Sequence, residues 1–177
     1  TTHVIRSNEW FPSVPLHLEL FKALGFKAPK YCHYAPMLKS EVKTDENGNP
    51  VLDENGDPVT FKRKISKRKD PEAAVSYYHQ AGIPKESVKE YLMTIANSDF
   101  EMWRKNNENA DLYDFPFALK KMSTTEGALF DMDKLIDVSK NVIAGFSAEK
   151  VYEVIYEWAE RNDSVLKSML DDREYSL

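Results

Sequence analysis

The chain has 177 residues, 42% of them hydrophobic and 30% charged, with a net charge of −5. That is room for one ordinary domain or two smaller ones with real cores, and the acidic balance excludes a protein that coats nucleic acid without specificity. The lone Cys32 excludes an intrachain disulfide and a multi-cysteine zinc site, and no apolar run nears the roughly 18 residues a membrane helix needs.

Charge is unevenly divided. Residues 1–74 hold 12 Lys/Arg against 10 Asp/Glu, a net of +2, while residues 75–177 hold 12 against 19, a net of −7. Any phosphate contact is therefore expected to be local. In chain order, THVIR (2–6) reads as a short buried strand. It begins without Met and runs straight into β-branched residues, so the chain is expected to be a piece of a longer one. From Pro15, the residues Leu16, Leu20, Phe21 and Leu24 follow helical spacing, and Gly25 stands where a helix C-cap belongs. YCHYAPML (31–38) is strand-like again, which makes strand–helix–strand, the unit of a parallel sheet.

A tandem near-repeat follows, DENGNPV (45–51) and DENGDPV (53–59). Each Asn-Gly is a strong turn signal, and the pair predicts an exposed hairpin or β-arm. An EF-hand loop needs Gly at its sixth position, whereas here Gly is fourth, which disfavours calcium. Then KRKISKRK (62–69) gathers six cations in eight residues. Three readings compete: a nuclear-import tag, a nucleic-acid patch, or a loop that holds the phosphates of a small molecule. Its place between a strand and a helix favours the loop over a tag, which belongs in a flexible tail, while on charge alone a plain solvated surface run stays open beside it.

Beyond it the pattern turns helical. Asp70-Pro71 predicts an N-cap with Pro at N1, for a helix that stops at Gly82. Pro84 starts another, with Val88, Tyr91, Leu92 and Ile95 as its apolar stripe; a third surrounds Phe100–Trp103. Ser147 caps a long helix whose stripe is Val151, Val154, Ile155 and Trp158. These stripes read as core. His3, His17, His33 and His79 show no metal-ligand spacing, and no dedicated metal site is expected.

Five segments, in order, carry a resemblance. KISKR (64–68) resembles the KMSKS signature of class I aminoacyl-tRNA synthetases. HVIRSNEW (3–10) is similar to the HVIRGEEW segment of the glutamate-specific family, and PLHLELFKALGFKAP (15–29) to that family's next helix. His33 falls where a His commonly precedes the loop. YYHQAGIPKESVKEYL (77–92) and STTEGALFDMDKL (123–135) resemble its stem-contact region. The chain thus looks like the middle portion of a glutamyl-tRNA synthetase, without the upstream HIGH-type motif, the acceptor-binding insertion and nearly all of the anticodon domain.

The resemblance implies an α/β fragment, the carboxy-terminal part of a Rossmann-like catalytic domain with a β-hairpin arm (residues 1–70), followed by a mainly α-helical stem-contact domain (residues 71–177). It implies a cytoplasmic, monomeric ligase with no membrane contact. Its ligands would be ATP carrying Mg²⁺, glutamate, and the acceptor-stem side of tRNA. Lys67 matches the second signature lysine and, with Lys64, is the expected catalytic cation. Glu9, Trp10, Met37, Leu38, Ser66, Lys67 and Arg68 are expected around ATP, with the backbone of Met37 and Leu38 at adenine. Arg6 is expected to hold the substrate, since a guanidinium at a strand end can grip a carboxylate bidentately. Plainer roles remain open: a surface salt bridge for Arg6, a helix-start acid for Glu9, a core ring for Trp10. Ser7-Asn8 replaces the family's Gly-Glu, and the doubled DENG arm is longer than its usual connector. Two alternatives stay open: the paralogue that attaches glutamate to a modified tRNA base, and a non-catalytic tRNA-binding module.

Overall fold

The structure is a computed structural model that describes residues 1–122 and 127–172. Its contacts gather into two compact units interleaved along the chain. One comprises Thr1–Ile65, Ile95–Glu101 and Phe115–Phe130; the other comprises Ser66–Thr94, Met102–Asp114 and Asp131–Leu177.

In the first unit, β1 (His3–Ser7) pairs in parallel with β2 (Lys30–Tyr34), and α1 (Val14–Ala23) lies between them in the chain. This is the expected strand–helix–strand unit. Gly25 ends the helix at φ 70°: its N–H bonds to the Lys22 carbonyl and the Phe26 N–H to that of Phe21, a Schellman cap. Of the α1 stripe, Phe21 is half-buried while Leu16, Leu20 and Leu24 are exposed.

Residues 31–38 do not form one strand. Pro36 has no N–H to give a ladder and restricts Ala35 before it, so the chain breaks there and β3 (Met37–Val42) joins a different sheet. That sheet has the order β4–β3–β5, with β4 (Thr60–Lys64) antiparallel to β3 and the short β5 (Ala128–Leu129) parallel to it. Between β3 and β4 the repeat builds the expected exposed arm. Asp45 Oδ1 accepts the N–H groups of Asn47 and Asn49, and Asp53 Oδ1 those of Asn55 and Asp57, so both turns are built alike. Lys43, Val51 and Val59 bond in a closed ring of backbone N–H···O contacts, each 2.8 Å, that ties the two turns together. The unit's core holds Ala35, Phe100, Phe115 and Phe130, with Phe100 and Phe115 edge to face at 5.1 Å.

The second unit is helical. It contains α2 (Val75–Gln80), most of α3 (Lys85–Ala96) and α4 (Phe100–Asn106), then α5 (Met132–Ala144), α6 (Ala148–Asn162) and α7 (Ser164–Asp171). Ser87, Leu135, Ala159 and Tyr91 are its most buried side chains, the first three at 0% exposure and Tyr91 at 1%. The Tyr91 hydroxyl accepts the Asp131 N–H at 2.7 Å, and the Asp131 carboxylate caps α5 by accepting the Lys134 N–H. Ser147 caps α6 as expected, through the Lys150 N–H.

Two stripes are rotated from their expected positions. On α3 the buried side chains are Ser87 and Tyr91, and Leu92 is 42% exposed; on α6 Ala159 is buried and Ile155 is 40% exposed. In both helices a small or hydroxyl-bearing residue is buried where the apolar spacing points elsewhere. The expected helix from Pro71 to Gly82 is also split. A 3-10 turn covers Pro71–Ala73, Ala74 is extended, and α2 follows.

Candidate active site

β1 delivers Arg6 and the 3-10 turn Asn8–Ser13 follows directly, so Arg6, Glu9 and Trp10 come together from a single stretch of chain. Arg6 is directly opposite His33 in the parallel register, which places both side chains on one face of the pair. Its Nε donates to His33 Nε2 at 3.1 Å. Its Nη2 lies 3.3 Å from His17 Nδ1 on α1 and donates to the Trp10 carbonyl at 3.4 Å. The guanidinium carbon stands 5.0 Å from the centre of the Tyr31 ring and 5.7 Å from that of Trp10, within cation–π range of both. His33 also stacks beside Tyr31 at 6.1 Å and meets Phe11 edge to face at 5.3 Å. Burial, and secondarily the Arg6 charge, hold its imidazole below the ordinary protonation range.

Of the expected ATP residues in this unit, Glu9 Oε2 pairs with Lys64 Nζ at 2.6 Å. Both side chains are about half exposed, and such a pair is worth little, so an incoming phosphate could draw Lys64 away at small cost. Met37 and Leu38 are half-buried on β3. The Met37 carbonyl accepts the Ile65 N–H at 3.0 Å and the Leu38 carbonyl the Phe130 N–H at 2.7 Å, so both already serve the backbone.

The boundary between the units falls inside the basic loop, after Ile65. From Ser66 onward the loop closes on itself. The Ser66 carbonyl accepts the N–H groups of Lys69 and Asp70, the Ser66 hydroxyl accepts that of Arg68, and the Asp70 carboxylate accepts the Ser66 N–H at 2.8 Å. Asp70, expected as a helix N-cap, instead turns its carboxylate back onto the loop and makes no capping bond; it is 2% exposed. The result is a tight turn that presents Lys67, Arg68 and Lys69 to solvent above a buried acid.

His17 and Tyr31 were not expected around Arg6, nor Asp70 in the closing of the basic loop, and His33 had a place in the chain but no role. The parallel register was the available signal for His33 and Tyr31, because Arg6↔His33 pairing puts 31 and 33 on the face of Arg6. Among the described residues no group of three His, Cys, Asp or Glu side chains could hold a metal, and no helix is long and apolar enough to cross a membrane. Of the segment STTEGALFDMDKL, residues 123–126 lie outside the described residues.

Searches of known proteins add a further finding. The chain is 46% identical over 176 residues to the glutamate–tRNA ligase of Acetivibrio thermocellus, covering 99% of this chain and 29% of that protein. It is 45% identical over 174 residues to the glutamate–tRNA ligase of Clostridium perfringens, covering 98% and 29%. The chain is homologous to part of a glutamate–tRNA ligase. It spans about three tenths of the length of the curated ligases it matches. A crystal structure of a glutamate tRNA ligase from Elizabethkingia meningosepticum, in complex with its amino acid, shares the fold with a TM-score of 0.57 at 23% identity, over 96% of this chain and 34% of that one. No family model matches the chain.

Proposed function

We propose that this chain supplies part of the catalytic apparatus of an ATP-dependent glutamate–tRNA ligase, with residues 1–70 belonging to the nucleotide-binding domain and 71–177 to a stem-contact domain. The observation that carries the reading is Arg6, a guanidinium fixed at a strand end, with Glu9 of the pair Glu9–Lys64 in the turn that follows that strand. In activation, the glutamate carboxylate attacks the α-phosphate of ATP and pyrophosphate leaves. Arg6 holds the amino acid. Glu9, released from Lys64, accepts from ribose hydroxyls, while Trp10 walls the pocket and Met37 and Leu38 meet the base. Magnesium arrives with ATP. The activated glutamate then passes to the terminal ribose of tRNA.

Negative charge grows on the β- and γ-phosphates as the bond breaks, so cations that approach at that moment stabilise the transition state more than the ground state. Lys67 is the first candidate, Lys64 the second, and Ser66 and Arg68 line the same turn. A charge pair near 4 Å at an effective dielectric of about 20 is worth roughly 4 kcal/mol gross. Losing a net of about 2–3 kcal/mol slows activation about 30- to 150-fold.

The experiment is glutamate-dependent ATP–pyrophosphate exchange, with tRNA present, in a full-length ligase carrying this segment. Lys67→Ala is expected to lower the rate by that factor with the glutamate KM unchanged. A near-wild-type rate would remove Lys67 from the mechanism. No exchange in the unmodified protein, with tRNA still bound, would leave it a binding module.

A further inference from the structure

We propose that His33 and His17 are positioning residues, a pair of neutral acceptors that fix the Arg6 guanidinium so that one amino group, Nη1, faces the substrate carboxylate. The inference rests on the reading of Arg6 as the carboxylate ligand and goes beyond it by assigning the edges of the guanidinium.

A guanidinium is all donor, with five N–H groups in a rigid plane. Arg6 spends its Nε–H on His33, and its Nη2 hydrogens face His17 and the Trp10 carbonyl. That occupies Nη2 on both edges on which a carboxylate can lie bidentately, so the expected bidentate grip gives way to single hydrogen bonds from Nη1. Nη1 has no partner among the described residues, which leaves it open to a ligand. The Tyr31 and Trp10 rings both lie within cation–π distance of the guanidinium, which limits rotation about the long side chain.

Because Arg6 can only donate, both imidazoles must accept. His33 therefore carries its proton on Nδ1, and His17 carries its own on Nε2. A second proton on either ring would set N–H against N–H and place like charges about 3 Å apart. The surroundings of His33 oppose that proton: the ring is half-buried and faces Arg6. Holding a guanidinium in one orientation before the ligand arrives removes an ordering cost from binding, so the effect should fall on ground-state affinity.

The test uses the full-length ligase and the same exchange assay, read as KM for glutamate and kcat separately. His33→Leu removes the acceptor and is expected to raise KM about tenfold with kcat within about twofold. His33→Gln puts an amide oxygen near the position of Nε2 and should restore KM to within about threefold. At the other ring, His17→Asn should rescue what His17→Leu loses, since its oxygen lies near Nδ1. Thermal melting of each variant checks folding. In an Arg6→Ala background, His33→Leu should cause no further change in KM. If Arg6→Ala raises KM but the histidine variants do not, or if Gln and Leu at position 33 are equally impaired, the positioning role is overturned while the Arg6 reading stands. If Arg6→Ala itself leaves KM unchanged, the Arg6 reading fails and takes this inference with it.

Discussion

His33 shows how one side chain can record its environment in a measurable way. Burial, and then the Arg6 charge, hold its protonation below the ordinary imidazole value of 6.5. The unfolded chain takes up the proton near that value, whereas the folded chain resists it, so the unfolded state binds more protons as pH drops. The contribution of His33 to stability is therefore intact above the ordinary value and is lost as pH falls through the depressed one. Thermal melts of the wild type should decline between pH 7.5 and 5.5, and His33→Gln, which does not titrate, should decline less. Identical pH profiles would mean that the Arg6–His33 contact does not persist in solution. Glu9 and Lys64 predict the opposite behaviour. Their pair is half-exposed, so Glu9→Gln should leave melting unchanged, and its effect should appear only in the ATP KM.

At the scale of elements, the basic loop depends on a residue whose role no local rule reveals. Asp70 satisfies every sequence criterion for an N-cap, with Pro71 behind it, yet its carboxylate is buried and bonded to the Ser66 N–H. Asp70→Ala leaves that amide unpaired and opens the turn, at a cost of about 1–3 kcal/mol. Urea denaturation should show that loss, and trypsin should cut after Lys67 and Arg68 faster than in the wild type. An unchanged cleavage rate would show that Asp70 does not close the loop. Gly127 is similar. A Cβ there would come within 2.3 Å of Leu38 Cγ and 2.5 Å of the Pro36 carbonyl, so Gly127→Ala should push β5 off β3. What was legible in the sequence was what the chain settles locally. Gly25 and Gly82 end helices through Schellman caps made by their own neighbours, Ser147 caps α6 through a residue three places on, and the repeated Asn-Gly turns close on their own Asp. What was not legible depended on partners distant in sequence. Leu92 and Ile155 fit the helical period but are exposed, while Ser87 and Ala159 are buried in their place. His17 and Tyr31 join Arg6 only after β1 and β2 have paired.

For the whole molecule, the question is how an acidic chain would meet tRNA. The +2 and −7 halves imply a contact made by few cations, and the structure narrows the choice further. In the helical unit Arg104 is paired with Glu90, Lys150 with Glu153 at 2.9 Å and Glu86 at 3.7 Å, and Lys167 with Asp171 at 2.6 Å. A cation already matched by an acid gains little from a phosphate, because one counter-charge replaces another. On the helices of this unit and their connections after the basic loop, Lys85, Lys89, Lys105, Lys140 and Arg161 are exposed and outside any ion pair among the described residues. Each phosphate neutralised on a duplex contributes about −0.9 to the slope of log K against log salt. Even if all five took part, this region would give a slope of about −4.5, and the surrounding acids should reduce it to about −3 to −4. Fluorescence anisotropy of labelled tRNA across a KCl series, with ATP and glutamate absent, measures the slope directly. Lys140→Gln should flatten it by about one if that lysine meets a phosphate, while Lys150→Gln should hardly move it. A slope of about −6 or steeper would mean that further cations join the contact, either the exposed Lys67, Arg68 and Lys69 of the basic loop or cations freed as the ion pairs of α4, α6 and α7 open.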